Sequence, residues 1–310
     1  MKILIVASYN KGYFSPFITE QAQALSDAGY TMRYFGVVGH GLFGYLKHIK
    51  ALKQYIKIEK PDIIHAHYGL CGLLANLQRQ VPVVTTYHGS DINNKWVLQL
   101  SRLAMLLSKW NIFISEQSKQ IANPRKHYSV IPCGINLTDD QLINQQAARL
   151  QMKLDLNQRY VLFAGAFDNT IKNAPLAKQV VSLIEENSEF EDKVELLELK
   201  GYTRAQVNLL MCAANVLLLT SFSEGSPQVI KEAMACGCPI VSVDVGDVRQ
   251  RLMGLAGCYV ADTDNASELA DLLQQALHFE QKTKGREVIV KEGLDNKSVV
   301  KKLIEIYHKI

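Results

Sequence analysis

No run of about 18 consecutive apolar residues occurs in the 310-residue chain, so no segment is expected to span a bilayer. The apolar start Met1–Ser8 is too short for a signal peptide and is followed at once by Asn10-Lys11-Gly12; it reads as a buried strand. The cytoplasm is therefore the expected compartment. Low-complexity runs and fixed-period repeats are also missing, which sets aside solenoid and fibrous architectures. None of the six cysteines (Cys71, Cys133, Cys212, Cys236, Cys238, Cys258) forms a C-x-x-C pair. Cys236 and Cys238 flank Gly237, but no second pair or nearby histidine completes a closed ligand set. No metal is expected, and the thiols read as reduced and packed. Nor is there a large excess of one charge: 34 Lys+Arg face 30 Asp+Glu, a net +4. The charge is uneven, however. Residues 1–150 carry 16 basic against 8 acidic side chains and residues 151–310 carry 18 against 22. That asymmetry suggests an anionic partner for the first half, ordinary surface variation being the plainer reading.

What is present is an alternation of short apolar runs with helical patterns. Strands are predicted at Ile3–Ala7, Met32–Val38, Ile63–Ala66, Val83–Tyr87, Asn111–Ser115 and Tyr128–Ile131. A second series follows at Tyr160–Ala164, Val194–Lys200, Val216–Thr220, Pro239–Val243 and Gly257–Val260. Helices are predicted between them, including Thr19–Ala28 and Gly44–Ile58. The runs are continuous in Val, Ile and Leu rather than alternating, which indicates strands buried on both faces of parallel sheets. The fold class expected is α/β, with two Rossmann-like doubly wound domains facing a central cleft. The domains are placed at 1–150 and 151–295, divided within the polar stretch Asn136–Gln158. Residues 296–310 form a helix, with Val299, Val300, Leu303, Ile304 and Tyr307 on one face, that is free to pack against either domain, a return to the first being one expectation.

The most informative segment runs from Val216 to Val241. A buried strand ends at Thr220, a Ser/Gly-rich turn follows, and Pro227 sits where the first turn of a helix tolerates it. Gly237 suits a C-terminal cap and Pro239 prevents continuation. A helix N-terminus at the carboxyl edge of a sheet offers outward N–H groups and partial positive charge, which suits a diphosphate. Glu224 lies in the turn and Glu232 within the helix, where a carboxylate can accept from both hydroxyls of a ribose. Taken alone, each glutamate reads more simply as a helix-terminal charge or a solvated helix residue, Lys231 included.

Glu224 to Glu232, with the intervening Gly-Ser-Pro and the following Ala-Met-Ala-Cys-Gly-Cys-Pro, resembles the E-x7-E region of the retaining family 4 glycosyltransferases, which have the two-domain GT-B fold. Further segments share the resemblance. Asp244–Val248 is similar to the Gly-containing loop after the next strand, Val130–Asn136 to the "IPNGVD" segment, Thr85–Asp91 to "T-x-HG-x-D", and His65-Ala66-His67 to "vHaH". Nearly the whole chain is covered.

The resemblance implies a metal-independent hexosyltransferase that moves a sugar from a nucleotide-diphospho-sugar to a saccharide or lipid-linked acceptor in surface polysaccharide synthesis. It assigns catalytic roles to His88, Glu224 and Lys172. Donor binding falls to Gly12, Gly165, Lys172, Ser223, Gly225, Ser226, Pro227 and Glu232. Asp91 either orients its loop or contacts the acceptor, and Lys11 is placed on the acceptor side. No metal or other cofactor is implied, and no nucleic acid. Where the family has an arginine after the glycine, this chain has Ala166, which shifts the load to Lys172 and the helix N-terminus. The loss of that cation also leaves open a catalytically silent nucleotide-sugar-binding protein.

Two further features point elsewhere. Lys47, Lys50, Lys53, Lys57 and Lys60 interleave with Leu42, Tyr45, Leu46, Ile49, Leu52 and Ile56 at helical spacing. The plainer reading is a helix packed on the sheet with its lysines in water. The sharper one is a peripheral contact with an anionic membrane, on the inner face of the plasma membrane. Gly39–Gly44 matches G-x-G-x-x-G, which raises an NAD(P)- or FAD-dependent oxidoreductase as the alternative. It follows the second strand rather than the first, and no acidic residue ends a following strand at the right distance.

Overall fold

Apolar runs that do not alternate become strands covered on both faces. In the N-terminal unit these are β1 (Lys2–Ser8), β2 (Thr31–Val37), β3 (Ile63–His67), β4 (Val83–Tyr87), β5 (Trp110–Phe113) and β6 (Tyr128–Val130). They pair in parallel in the order β2-β1-β3-β4-β5-β6. The connecting helices are α1 (Pro16–Asp27), α2 (Gly41–Leu46), α3 (Ile49–Glu59), α4 (Gly69–Asn76), α5 (Ser90–Asn93), α6 (Lys95–Leu107) and α7 (Glu116–Ala122). This description comes from a computed structural model that describes residues 1–125, 127–187 and 193–310.

The C-terminal unit starts with α8 (Gln145–Met152). It continues β7 (Arg159–Phe163), α9 (Ala174–Asn187), β8 (Val194–Glu198), α10 (Arg204–Ala213), β9 (Val216–Leu219) and α11 (Gln228–Ala235). It closes with β10 (Ile240–Ser242), α12 (Val248–Leu252), β11 (Cys258–Val260), α13 (Ala266–Leu277) and α14 (Gly285–Glu292). Its strands are parallel in the order β11-β10-β9-β7-β8. The last helix, α15 (Asn296–Tyr307), returns to the N-terminal unit. There Val299, Val300, Leu303, Ile306 and Tyr307 pack with α1 residues Ile18, Ala22 and Leu25 over Ile3 and Ile5. Ile304, predicted on the same face, is only partly buried. On the other face of that sheet Leu4, Val6 and Ile64 meet Leu52, Ile56 and Leu74.

Two boundaries differ from the sequence reading. The units divide at Asn136/Leu137 and again at Gly293/Leu294, not at 150/151 and 295/296. The reason is α8: Arg149 donates to the Ala213 and Leu156 carbonyls and to Asn215 Oδ1, and these contacts tie the helix to the C-terminal unit. The helix predicted over Gly44–Ile58 is two helices. The chain breaks at Lys47–His48, where the His48 ring bonds the Val38 carbonyl at 2.9 Å and α3 begins.

Doubly wound sheets place ligands outside the carboxyl ends of their strands, where the strand order reverses. In the N-terminal unit that point lies between β1 and β3; in the C-terminal unit it lies between β7 and β9.

Candidate active site

The β7–β9 reversal gathers most of the predicted residues. Gly165 follows β7, and Lys172 ends a short 3-10 turn, Thr170–Lys172. A Cβ on Gly165 would lie 2.7 Å from Lys172 Cγ, so only glycine lets the lysine stem cross the strand end. Lys172 Nζ donates to Glu224 Oε1 at 2.7 Å, both side chains being mostly buried. The turn after β9 is fastened to the same loop. Thr220 Oγ1 donates to the Lys172 and Asn173 carbonyls at 2.9 and 3.1 Å, and the Phe222 N–H donates to the Ile171 carbonyl at 2.9 Å.

From the other side the turn is held by the loop after β10. Gly246 has φ +62°, and a Cβ there would lie 2.8 Å from the Gly225 carbonyl. Ser226 Oγ donates to Asp247 Oδ2 at 2.9 Å, and Arg251 Nε donates to the same oxygen at 3.0 Å. Ser223 is exposed, Glu224 and Gly225 are half-buried, and Ser226 and Pro227 are buried. Pro227 is the N-cap of α11, which stops at Cys236 before Gly237 at φ +65°. A rigid turn thus leads into a helix start at the sheet edge, the arrangement that binds phosphate.

Neither Lys231 nor Glu232 is a solvated helix residue: they are 1% and 5% exposed. Glu232 Oε1 is paired with Arg204 Nη2. Arg204 was missed in the sequence. It begins α10, directly after a capping box in which Thr203 and Gln206 bond each other's main chain. A cation at a helix N-terminus opposes the macrodipole, so its placement there requires nearby negative charge. The motif Thr203-x-x-Gln206 after a strand was the available signal. Ala166, where a cation was expected, makes a turn in which its carbonyl accepts from the Asn169 N–H.

The N-terminal unit arranges a different chemistry. His65, His67 and His88 form a stacked column with ring centroids 4.5 and 5.2 Å apart. His65 bonds Tyr307 Oη at 2.6 Å and Thr86 Oγ1 at 2.7 Å. His67 Nδ1 meets His88 Nε2 at 3.0 Å, and His88 Nδ1 meets Cys133 Sγ at 3.6 Å. Phe17 and Tyr68 flank the His88 ring. Burial pushes His65 down to about 3 and holds His67 well below the ordinary imidazole range, so both are neutral at pH 7. Asp91 is buried at 2% exposure and accepts the His88 N–H at 2.8 Å and the Gly69 N–H at 2.9 Å. Burial pushes its carboxyl up to about 6, with those two N–H groups pulling the other way. Its carboxylate therefore shapes the loop that presents His88.

At the β1–β3 reversal a pocket of about 790 Å³ is lined by Asn10, Lys11, Tyr13, His40, Tyr68 and Asp91, among others. Lys11 and Asp91 thus share one pocket. Gly12 is exposed at φ +76°, with nothing within 4 Å of the point where a Cβ would stand. The glycines of Gly39–Gly44 serve their own turn: a Cβ on Gly39 would stand 2.5 Å from the Gly44 carbonyl oxygen, so the backbone closes on itself. That packing, rather than a dinucleotide, accounts for the motif. The lysines of Lys47–Lys60 are all exposed, while Leu52 and Ile56 are buried in the core. None of the six cysteines is joined in a disulfide; Cys71, Cys133, Cys212, Cys236 and Cys238 are buried. Among the described residues no three or more His, Cys, Asp or Glu side chains gather as metal ligands. No helix among them is long and apolar enough to cross a membrane.

Comparison with known proteins agrees with this division. Residues 16–139 match the family described as Glycosyltransferase Family 4, and residues 162–278 match Glycosyl transferases group 1. The chain is 26% identical over 253 residues to TuaC, a Bacillus subtilis protein named for teichuronic acid biosynthesis, covering 74% of this chain and 64% of that one. It is 27% identical over 251 residues to the amylovoran biosynthesis glycosyltransferase AmsK of Erwinia amylovora, covering 68% and 60%. The matched stretch is thus under two thirds of the length of both relatives. Among solved structures, sucrose-phosphate synthase from Thermosynechococcus elongatus superposes with TM-score 0.80 at 18% identity, covering 100% of this chain and 98% of that one. HepE from Anabaena in complex with UDP superposes with TM-score 0.77 at 16% identity, with full coverage of both chains. At such identities the likeness establishes the GT-B fold.

Proposed function

We propose that this chain, which belongs to the glycosyltransferases built from a Family 4 domain and a group 1 domain, moves a sugar from a nucleoside-diphospho-sugar to a saccharide or lipid-linked acceptor. The process is surface polysaccharide synthesis, the role for which TuaC and AmsK are named. The observation that carries this reading is the pair of carboxylates Glu224, half-buried, and Glu232, buried. Each faces a cation, Lys172 or Arg204, and both lie around a helix start at the reversal of the C-terminal sheet.

In this reading the diphosphate lies at the start of α11, near Gly165, Ser223, Gly225, Ser226 and Pro227, with Lys172 as its cation. Glu232 accepts the ribose hydroxyls. Glu224 accepts hydroxyls of the transferred sugar and gives up part of its contact with Lys172 as it does so. The bond from the anomeric carbon to the diphosphate oxygen breaks through an oxocarbenium-like state. The acceptor oxygen bonds the same face of that carbon, and its proton passes to the departing phosphate oxygen. Configuration is retained, and the protein supplies positioning and charge stabilisation. His88 is the catalytic residue of the N-terminal unit, with Lys11 and the Asp91-shaped pocket on the acceptor side and Gly12 at the first strand–helix turn. The reaction uses no metal in this scheme. The exposed lysines of Lys47–Lys60 add electrostatic attraction to an anionic membrane surface.

The test is a panel of UDP- and GDP-sugars, read by thermal stabilisation and then by transfer or hydrolysis in excess chelator. The reading requires one donor to stabilise the protein and to turn over, and both effects to vanish in Glu232→Ala. Stabilisation by NAD(P) or FAD alone would overturn it.

A further inference from the structure

The outward face of α6 is apolar where a surface helix is ordinarily polar. Trp96 is 86% exposed, Leu103 50%, Leu106 53% and Leu107 37%. At 100° per residue Trp96, Leu103 and Leu107 fall on one line, with Leu106 beside it. The inward face is Leu98, Ser101, Ala104 and Met105, all buried, so the helix is anchored and its leucine ridge is surplus to the core. Ile121 of α7, 40% exposed, extends the ridge; Arg102 Nη2 donates to its carbonyl at 3.4 Å.

The flank of this ridge is cationic. Lys95, Arg102, Lys109 and Arg125 are all exposed, and between Asp91 and Asp139 the sequence holds a single acid, Glu116. That glutamate is paired with Lys119 at 3.0 Å. Two hollows open beside Leu106. One, of about 320 Å³, is lined by Arg102, Asn123 and Arg125; the other, of about 780 Å³, is lined by Arg79, Lys109, His127 and Lys309. They lie away from the β1–β3 reversal and share no lining residue with its pocket.

We infer that the α6 ridge is a membrane-docking face, with the leucines and Trp96 entering an anionic lipid surface and the flanking cations meeting phosphate headgroups. Charge selects this occupant. A second copy seated on the same patch would bring Arg102, Lys95 and Lys109 against their own equivalents, whereas an anionic leaflet is attracted by each of them. The Lys47–Lys60 stretch offers exposed lysines with a single large exposed apolar side chain, Ile58, because Leu52 and Ile56 are spent on the core; α6 lines up four. The inference concerns a surface distinct from the donor site and does not depend on the sugar-transfer reading.

The experiment is vesicle co-sedimentation of the full chain, with phosphatidylcholine vesicles against phosphatidylcholine–phosphatidylglycerol vesicles. Three proteins are compared: wild type, the triple variant L103Q/L106Q/L107Q, and the triple variant K50Q/K53Q/K57Q. Wild type is expected to bind the phosphatidylglycerol vesicles at least tenfold more tightly than phosphatidylcholine, with a blue shift of Trp96 emission in a Trp110→Phe background. The leucine variant should lose about tenfold or more of that binding, at unchanged melting temperature. The lysine variant should lose less. Absence of wild-type binding, or an unaffected leucine variant, overturns the inference. So does a wild-type dimer in sedimentation that the leucine variant abolishes, because a second copy then covers the ridge.

Discussion

The two units share one architecture and solve opposite electrostatic problems. At its sheet reversal the C-terminal unit holds ionised pairs, Lys172 with Glu224 and Arg204 with Glu232, packed at the edge of solvent. The N-terminal unit buries two neutral imidazoles, His65 and His67, and one carboxyl, Asp91; Tyr307 packs on His65, and Phe17 and Tyr68 pack on His88. Half-buried ion pairs are groups that an incoming charged, hydroxyl-rich ligand can re-partner. Fully buried groups whose partners all lie within the fold are fixed, and Asp91 among them holds a loop. In the proposed reading, recognition of the nucleotide falls to the second unit and presentation of His88 to the first.

The largest effect that sharpens this contrast is on turnover. Glu224→Ala and Glu232→Ala are each expected to lower kcat/KM for transfer by about a thousandfold, near the upper range for removing a preorganised charge contact, with little change in melting temperature. His88→Ala should lower kcat by about a hundredfold while nucleotide binding stays unchanged, because the ring belongs to the other unit. Equal loss of nucleotide affinity in His88→Ala would break the contrast.

Stability should respond in the opposite unit. Asp91→Asn keeps the shape but replaces an acceptor with an amide that cannot take one of the two N–H bonds from His88 and Gly69, costing about 1–3 kcal/mol. Urea unfolding followed by tryptophan emission reads this directly, since Trp96 and Trp110 both lie in the N-terminal unit.

The smallest effect is the pH dependence of that same unit. His65 and His67 have folded values depressed below the unfolded 6.5, so their contribution is complete above that value and is lost as pH falls. Asp91, pushed up to about 6, works the other way and is stabilised by acid. Two histidines outweigh one carboxyl, which leaves a net loss of about 1.4 kcal/mol per pH unit between roughly pH 6 and 5. Tryptophan-monitored urea midpoints across that range check the sign, and His67→Gln should flatten the slope.

Much of the fold was legible because strands buried on both faces are continuous apolar runs. Val83–Tyr87 and Val216–Leu219 stand out without any neighbour being known. What escaped was decided by long-range polar contacts. The break between α2 and α3 depends on His48 finding the Val38 carbonyl, and the division at Asn136 depends on Arg149 reaching Ala213 and Asn215. At the site, the turn from Ser223 to Pro227, with Glu224 inside it and Glu232 in the helix beyond, was readable as a strand–turn–helix motif. Arg204 was not, because it comes from the preceding crossover and meets Glu232 only once β8 and β9 have taken their places around β7. The His67–His88 contact likewise joins the ends of β3 and β4, adjacent strands whose pairing no local pattern announces. For Asp91 the resemblance left loop orientation and acceptor contact both open; the N–H bonds it accepts from His88 and Gly69 show the first of these.

The most direct measurement of the central claim is the shift in melting temperature produced by UDP and by GDP on wild type and on Glu232→Ala. A ligand at a hundred times its Kd adds about 2.7 kcal/mol to the folded state. The account predicts a clear upward shift with one nucleoside diphosphate for wild type, and none for the variant at an unchanged ligand-free melting temperature. An equal shift in both proteins would contradict it.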